Sequence, residues 1–300
     1  MDIRNRKTLP WLWVFNLVMG LIVLPLLIGW PANLIFWTQG AKLGLVIVPA
    51  ILIVVSIHWA AAKVLLRRSR VALMRGDYET ALSLTARMKS VSRHDFRACI
   101  LSLAGRPDEA EKIIGKLIPQ PAKPADQARR LALLADIQMD QGRWEEPRQS
   151  LDMAMRLDDA LGTRCGTLAE WYLLQDLEPQ KALDLLEQAD GAPHLARLEP
   201  TARNGILAMR LALKSLAQAR LGKQREAESA MAEAQTIADP GYVPGMALLD
   251  WRIGMAFAAM GQPAKAREQY QKATAIDPHG KYGRLAARGL EGDGRKIPAN

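Results

Sequence analysis

The stretch Ala247-Leu-Leu-Asp-Trp-Arg-Ile-Gly-Met-Ala-Phe-Ala-Ala-Met-Gly-Gln-Pro-Ala-Lys-Ala-Arg-Glu-Gln-Tyr-Gln-Lys-Ala-Thr-Ala-Ile-Asp-Pro278 decides the fold of this chain. A small and apolar helix runs into Gly261, four residues follow, and Ala266 opens a second, amphipathic helix. Glycine just past a helix end accepts the left-handed conformation that lets the chain reverse. Alanine in the returning helix lets the two backbones approach closely. The same spacing recurs at Gly76-Asp-Tyr-Glu-Thr-Ala81, Gly105-Arg-Pro-Asp-Glu-Ala110 and Gly222-Lys-Gln-Arg-Glu-Ala227. Gly142-Arg-Trp-Glu-Glu-Pro147 has Pro in place of Ala, and the segment Leu177 to Ala182 keeps the Ala and lacks the Gly. Acidic residues in these links suit the positive N-terminal end of the helix that comes next.

Repetition at intervals of roughly 30–45 residues is the mark of a helical solenoid. Composition agrees: the 300 residues include only four Phe and five Tyr, and Ala and Leu dominate beyond residue 70. Those two residues lose little on entering a helix, whereas strands favour β-branched and aromatic side chains. Proline clusters at Pro119 to Pro124, Asp190 to Pro193, Glu199-Pro200 and Asp239 to Pro244 separate the hairpins. The fold class expected is all-α, with about six helix pairs over residues 67–290 and a flexible tail over 291–300.

Within the 247–278 copy, Ile253-Gly254, Phe257, Gly261, Ala266, Tyr270, Ala273 and Pro278 stand at the spacing of the tetratricopeptide repeat family, which the chain resembles. Trp251 falls one place later than that family's usual early aromatic. The Gly222 copy keeps Gly222, Ala227 and Ala234 but has Lys214 where an apolar residue is usual, and the Gly76 and Gly105 copies match mainly at Gly and Ala. The resemblance implies a superhelix whose first helices line a concave groove. On that register the groove-facing residues are Arg129, Asp136 and Met139, then Arg164, Thr167 and Trp171, then Leu248, Trp251 and Met255. Aromatic, Arg and Met side chains are the types that anchor interfaces, although Trp171, Trp251 and Met255 also read as packing between neighbouring hairpins. Repeats of this family that grip an acidic peptide terminus use Lys and Asn at set places. Here those places hold Leu66, Asp95, Ala132, Thr167, Ala212 and Trp251, then Arg70, Cys99, Asp136, Trp171, Leu216 and Met255, so that mode is absent.

Working outward to the N-terminus, residues 8–41 carry no charge, and Leu9 to Trp30 and Leu43 to Ala62 are apolar runs. A helix needs roughly 20 such residues to cross a bilayer core. Trp11, Trp13, Trp30, Trp37 and Trp59 lie near the run ends, as in the aromatic belts of membrane interfaces. Arg4, Arg6 and Lys7 precede the first run, and Lys63, Arg67, Arg68 and Arg70 follow the second, with only Lys42 between them. Residues 1–66 therefore read as a transmembrane hairpin with both ends in the cytoplasm of a bacterial-type inner membrane. A cleaved signal peptide competes for the first run, but its uncharged stretch is longer than a usual signal core and no small-x-small site follows Ile28. Net charge is +11 over 1–130, −8 over 131–200 and +6 over 201–300, so the basic excess sits beside the apolar runs.

Motifs and charge bound the function classes. No HExxH, GxGxxG, P-loop or GxSxG occurs, and His94, His194 and His279 are scattered, so neither catalysis nor a metal nor a cofactor has a candidate site. Cys99 and Cys165 are too few and too distant for a disulfide framework or a zinc site. No nucleic-acid motif accompanies the basic charge. The reading is a non-enzymatic, membrane-anchored scaffold whose partners are the lipid bilayer and unidentified proteins. Two alternatives remain: an accessory factor of porphyrin and haem metabolism, because the layout is similar to HemY-type proteins, and an envelope-assembly regulator whose Arg67, Arg68 and Arg70 touch anionic headgroups.

Overall fold

The computed structural model of the chain describes residues 52–53, 56, 60–87, 92–157, 162–191 and 195–292. The first apolar run, the second except for residues 52–53, 56 and 60–62, the five interfacial tryptophans and most of the tail fall outside the described residues. Among the described residues, no helix is long and apolar enough to cross a membrane. The chain divides into two compact units, 1–64 and 65–300.

The described residues of the second unit form helices in antiparallel pairs. Helical residues 65–74 (α1) pair with Tyr78–Ala86 (α2), and Ser92–Leu103 (α3) with Pro107–Leu117 (α4). Pro124–Asp140 (α5) pairs with Glu145–Leu157 (α6), and Gly162–Leu174 (α7) with Pro179–Asp190 (α8). Pro200–Arg220 (α9) pairs with Gln224–Ile237 (α10), and Val243–Ala259 (α11) with Pro263–Ile276 (α12). Lys281–Leu290 (α13) packs on the last pair. The proline clusters that separate hairpins in the sequence start helices: Pro124 and Pro200 are the first residues of α5 and α9, where a missing N–H costs nothing.

The hairpin turns are built as the glycine spacing requires. Gly76, Gly105, Gly142, Gly222 and Gly261 have φ between +64° and +74°. In each, the glycine N–H bonds the carbonyl three residues back and the next N–H bonds the carbonyl five back, for example Gly142 to Met139 and Arg143 to Gln138. This is the paired closure of a Schellman turn, which satisfies carbonyls left open at a helix end. The fourth hairpin makes the same two bonds without glycine, from Asp176 to Leu173 and from Leu177 to Tyr172. Asp176 takes φ +60° and Glu178 φ +36°, and one extra residue separates the turn from Ala182. Its turn residue is therefore Asp176. That shifts the register of α7 by one, so that Gly166 and Glu170, not Thr167 and Trp171, stand ten and six residues before the turn.

Ala81, Ala110, Ala182, Ala227 and Ala266 are all buried at the crossings of their hairpins. Around them run continuous apolar clusters. One joins Met139, Leu151, Leu173, Leu186, Leu216 and Ile253 across the third to sixth hairpins. Another joins Leu73, Leu82, Ile100, Leu101, Ile114 and Ile137 across the first three. Each fully buried Leu or Ile contributes about 1.5–3 kcal/mol through removal from water. That is why hairpins too small to fold singly hold when stacked.

Candidate functional site

The first helices of the hairpins share one face, and two features occupy it. At one end the face is filled by α13. Lys281 Nζ lies 2.9 Å from Asp136 Oδ1 and 2.7 Å from Asp140 Oδ1 on α5, and only 7% of its side chain is exposed. Arg284 donates to the Ala104 carbonyl at the end of α3. Two carboxylates thus share one buried ammonium. Burial pushes the Asp140 carboxyl up to about 8, with Asp136 adding to the shift and Lys281 opposing it. Asp140 Oδ2 has no hydrogen-bond partner among the described residues. Burial also pushes the nearby Cys99 thiol up to about 11, so it is not a nucleophile at neutral pH.

Beside this closure the face opens into a cleft of about 640 Å3. Its walls are α7, α9 and α11, and Met74 of α1 also lines it. On α9 the lining residues Ala202, Ile206, Met209 and Leu213 recur at helical spacing, and Met246 and Leu248 come from α11. Thr167, Glu199, Thr201, Asp239 and Tyr242 also line it, together with two buried arginines and Glu170. Glu170 and Arg252 form a buried ion pair at 2.6 Å, and Arg252 Nη1 also donates to the Met209 carbonyl. Arg210, only 3% exposed, donates through Nη1 to the Ala189 carbonyl at 2.8 Å and to Asp190 Oδ1 at 3.3 Å. Its Nη2 is buried and has no hydrogen-bond partner among the described residues.

Lys214, the polar residue in a normally apolar place, also bonds Asp190, through Oδ2. It leans out of the core to neutralise a helix-end carboxylate, which explains the departure from the repeat pattern.

The groove-facing residues named from sequence divide between these surroundings. Asp136 belongs to the closure, Leu248 and Thr167 line the cleft, and Met139 is buried in the core. Trp171 donates its indole N–H to the Trp144 carbonyl at 2.8 Å and meets Tyr172 edge-on, with the Arg148 guanidinium over both rings. Trp251 packs on Tyr282 of α13. Met255 is half-buried, Arg129 is exposed and paired with Asp126, and the Arg164 side chain lies outside the described residues. Arg67, Arg68 and Arg70 are exposed along α1. Sequence reasoning missed Arg210, Glu170 and Arg252. Nothing local marks them, because their roles depend on partners 20 to 82 residues away. Among the described residues, no group of three or more His, Cys, Asp or Glu is placed to hold a metal ion.

Residues 251–279 match the tetratricopeptide repeat. Comparison with curated proteins gives no match. Among solved structures the crystal structure of MamA is similar at 22% identity, over 58% of this chain and 90% of that one, with a TM-score of 0.35. The chain thus carries a tetratricopeptide repeat at its last hairpin, within an all-α stack of paired helices.

Proposed function

We propose that this protein is a non-enzymatic scaffold that holds a protein partner at the cytoplasmic face of a bacterial-type inner membrane. The observation that carries the reading is the tetratricopeptide repeat at 251–279, set in a stack of hairpins whose first helices leave one face partly open. Stacked repeats of this kind present extended surfaces rather than a single reactive pocket. The apolar runs at Leu9 to Trp30 and Leu43 to Ala62, with Arg67, Arg68 and Arg70 just beyond, support the membrane side of the proposal.

Affinity purification of the full chain from detergent, followed by mass spectrometry, tests the scaffold. A stoichiometric partner is the expected result, and repeated recovery of the protein alone counts against it. A reporter fused after residue 70 tests the membrane side separately, since activity only in the periplasm overturns the cytoplasmic assignment. A role in porphyrin and haem metabolism has the same layout behind it, and unchanged porphyrins in a deletion strain remove that alternative.

A further inference from the structure

Two arginines occupy the same place in different repeats. Arg130 lies twelve residues before Gly142 on α5, and Arg210 lies twelve before Gly222 on α9. Both are buried, and both donate Nη1 at 2.8 Å to a carbonyl at the end of the preceding second helix, Leu117 for Arg130 and Ala189 for Arg210. Arg130 is completed from the preceding first helix: its Nε and Nη2 donate to the carboxylate of Asp95 at 2.9 and 3.4 Å. Asp95 stands ten residues before its turn, and the residue ten before the turn on α7 is Gly166. No side chain comes from that place, and among the described residues Arg210 Nη2 is left unpartnered.

Gly166 lines the cleft, and a Cβ built on it meets nothing within 4 Å. Gly205, on the facing wall of α9, is the same. Neither glycine has a positive φ and neither is crowded, so backbone geometry and packing give no reason for a residue that costs a helix interior about 1 kcal/mol relative to Ala. What the two share is the open space between them.

We infer that the cleft binds a small apolar monocarboxylate whose carboxylate takes, at Arg210 Nη2, the place that Asp95 holds at Arg130. The rest of the cleft suits such a body: Met74, Ile206, Met209, Leu213 and Met246 are apolar, and thioethers adapt to irregular shapes. A buried guanidinium calls for a planar anion able to accept from its fork. Charge selects a monoanion. Arg210 and Lys214 share the single carboxylate of Asp190, which leaves one local positive charge for a carboxylate to neutralise, while Glu199 and Asp239 elsewhere in the lining oppose the second negative charge of a phosphate monoester. Size points to a small molecule, since about 640 Å3 is within the range of ligand pockets and α13 fills the neighbouring part of the same face. The inference goes beyond the scaffold reading and is tested without any partner.

The test uses the full chain in nanodiscs, with empty nanodiscs as the blank, and titrates octanoate and its neutral counterpart octanamide by calorimetry. Saturable one-to-one binding of octanoate is expected, with octanamide at least tenfold weaker. Gly166→Asp supplies from the chain itself the carboxylate the ligand would bring, so it should weaken octanoate at least tenfold while Gly166→Ala retains binding. Arg210→Met should lose binding, and Gly205→Leu should block the cleft with helicity unchanged. Equal binding of octanamide, or wild-type affinity in Gly166→Asp, overturns the proposal. So does an absence of octanoate binding, including the case in which an acidic apolar peptide binds in an Arg210-dependent manner instead.

Discussion

Tyr78, the first residue of α2, donates its hydroxyl to Asp277 Oδ2 at 2.5 Å across 199 residues of sequence. The same carboxylate accepts the Gly280 N–H through Oδ1, so Asp277 ties the turn before α13 to the first hairpin. A Cβ at Gly280 would run into both the Asp277 carboxylate and the Tyr78 oxygen, which is why glycine stands there. In an ordinary solenoid each repeat touches only its neighbours and stability is a sum of nearest-neighbour terms. Here the first and last hairpins are bonded to one another, together with the Lys281 and Arg284 contacts to α5 and α3.

Tyr78→Phe removes that donor and leaves a buried carboxylate oxygen without it. A loss of about 1–3 kcal/mol is expected. Because the bond joins the two ends, the variant should also unfold over a broader denaturant range than wild type. Urea unfolding followed by circular dichroism checks both, and an unchanged midpoint would show the end-to-end bond to be idle.

Asp140 gives the closure a pH dependence. Its carboxyl is pushed by burial from an ordinary value of 3.8 up to about 8, so the folded chain keeps a proton that the unfolded chain has lost. The folded state then binds more protons between about pH 4 and pH 8, and this group's contribution to stability falls as pH rises through that window. Asp140→Asn has no proton to lose and preserves the shape of the side chain. Relative to wild type it should gain stability between pH 5 and pH 9 in denaturant melts. A difference between the two proteins that stays constant with pH would mean that Asp140 is ionised throughout.

The paired-helix stack was legible because its information is local. Five glycines at one offset from an alanine or proline fix five turns, and each of those glycines takes the left-handed conformation the spacing implies. The fourth hairpin was harder to place, since Asp176 does the work of glycine and the link is one residue longer. That single residue moves the register of α7, hiding the correspondence of Gly166 with Asp95. The closure by α13 was not legible at all. Lys281, Asp136 and Asp140 are ordinary surface types in sequence, and only a curvature summed over the stack brings them together. Arg210 was invisible for the same reason: a guanidinium with one nitrogen unpartnered among the described residues is a property of its neighbours.

The Asp176 turn yields its own expectation. A left-handed residue with a side chain is strained by roughly 1 kcal/mol, less for Asp than for most. Asp176→Gly should therefore raise stability, by up to about 1 kcal/mol. The pair from Arg220 to the largely exposed Asp176 carboxylate would be lost, but an exposed pair of this kind contributes little. A lower melting temperature in the variant would mean that the carboxylate matters more to the α9 end of the hairpin than the backbone does to its turn.

Two helix glycines separate propensity from packing most cleanly. Gly205 in α9 and Gly254 in α11 both sit in helix interiors without positive φ, so alanine offers each the same intrinsic gain of about 0.5–1 kcal/mol. Their surroundings differ. A Cβ at Gly205 enters the open cleft and touches nothing, whereas a Cβ at Gly254 drives into the ring of Tyr270, a buried member of the last hairpin's core. Forcing a buried ring aside costs about 1–3 kcal/mol, more than propensity returns. Gly205→Ala should raise the melting temperature and Gly254→Ala should lower it. Shifts of the same sign in both would mean that the space at Gly205, on which the carboxylate site depends, is not open in solution.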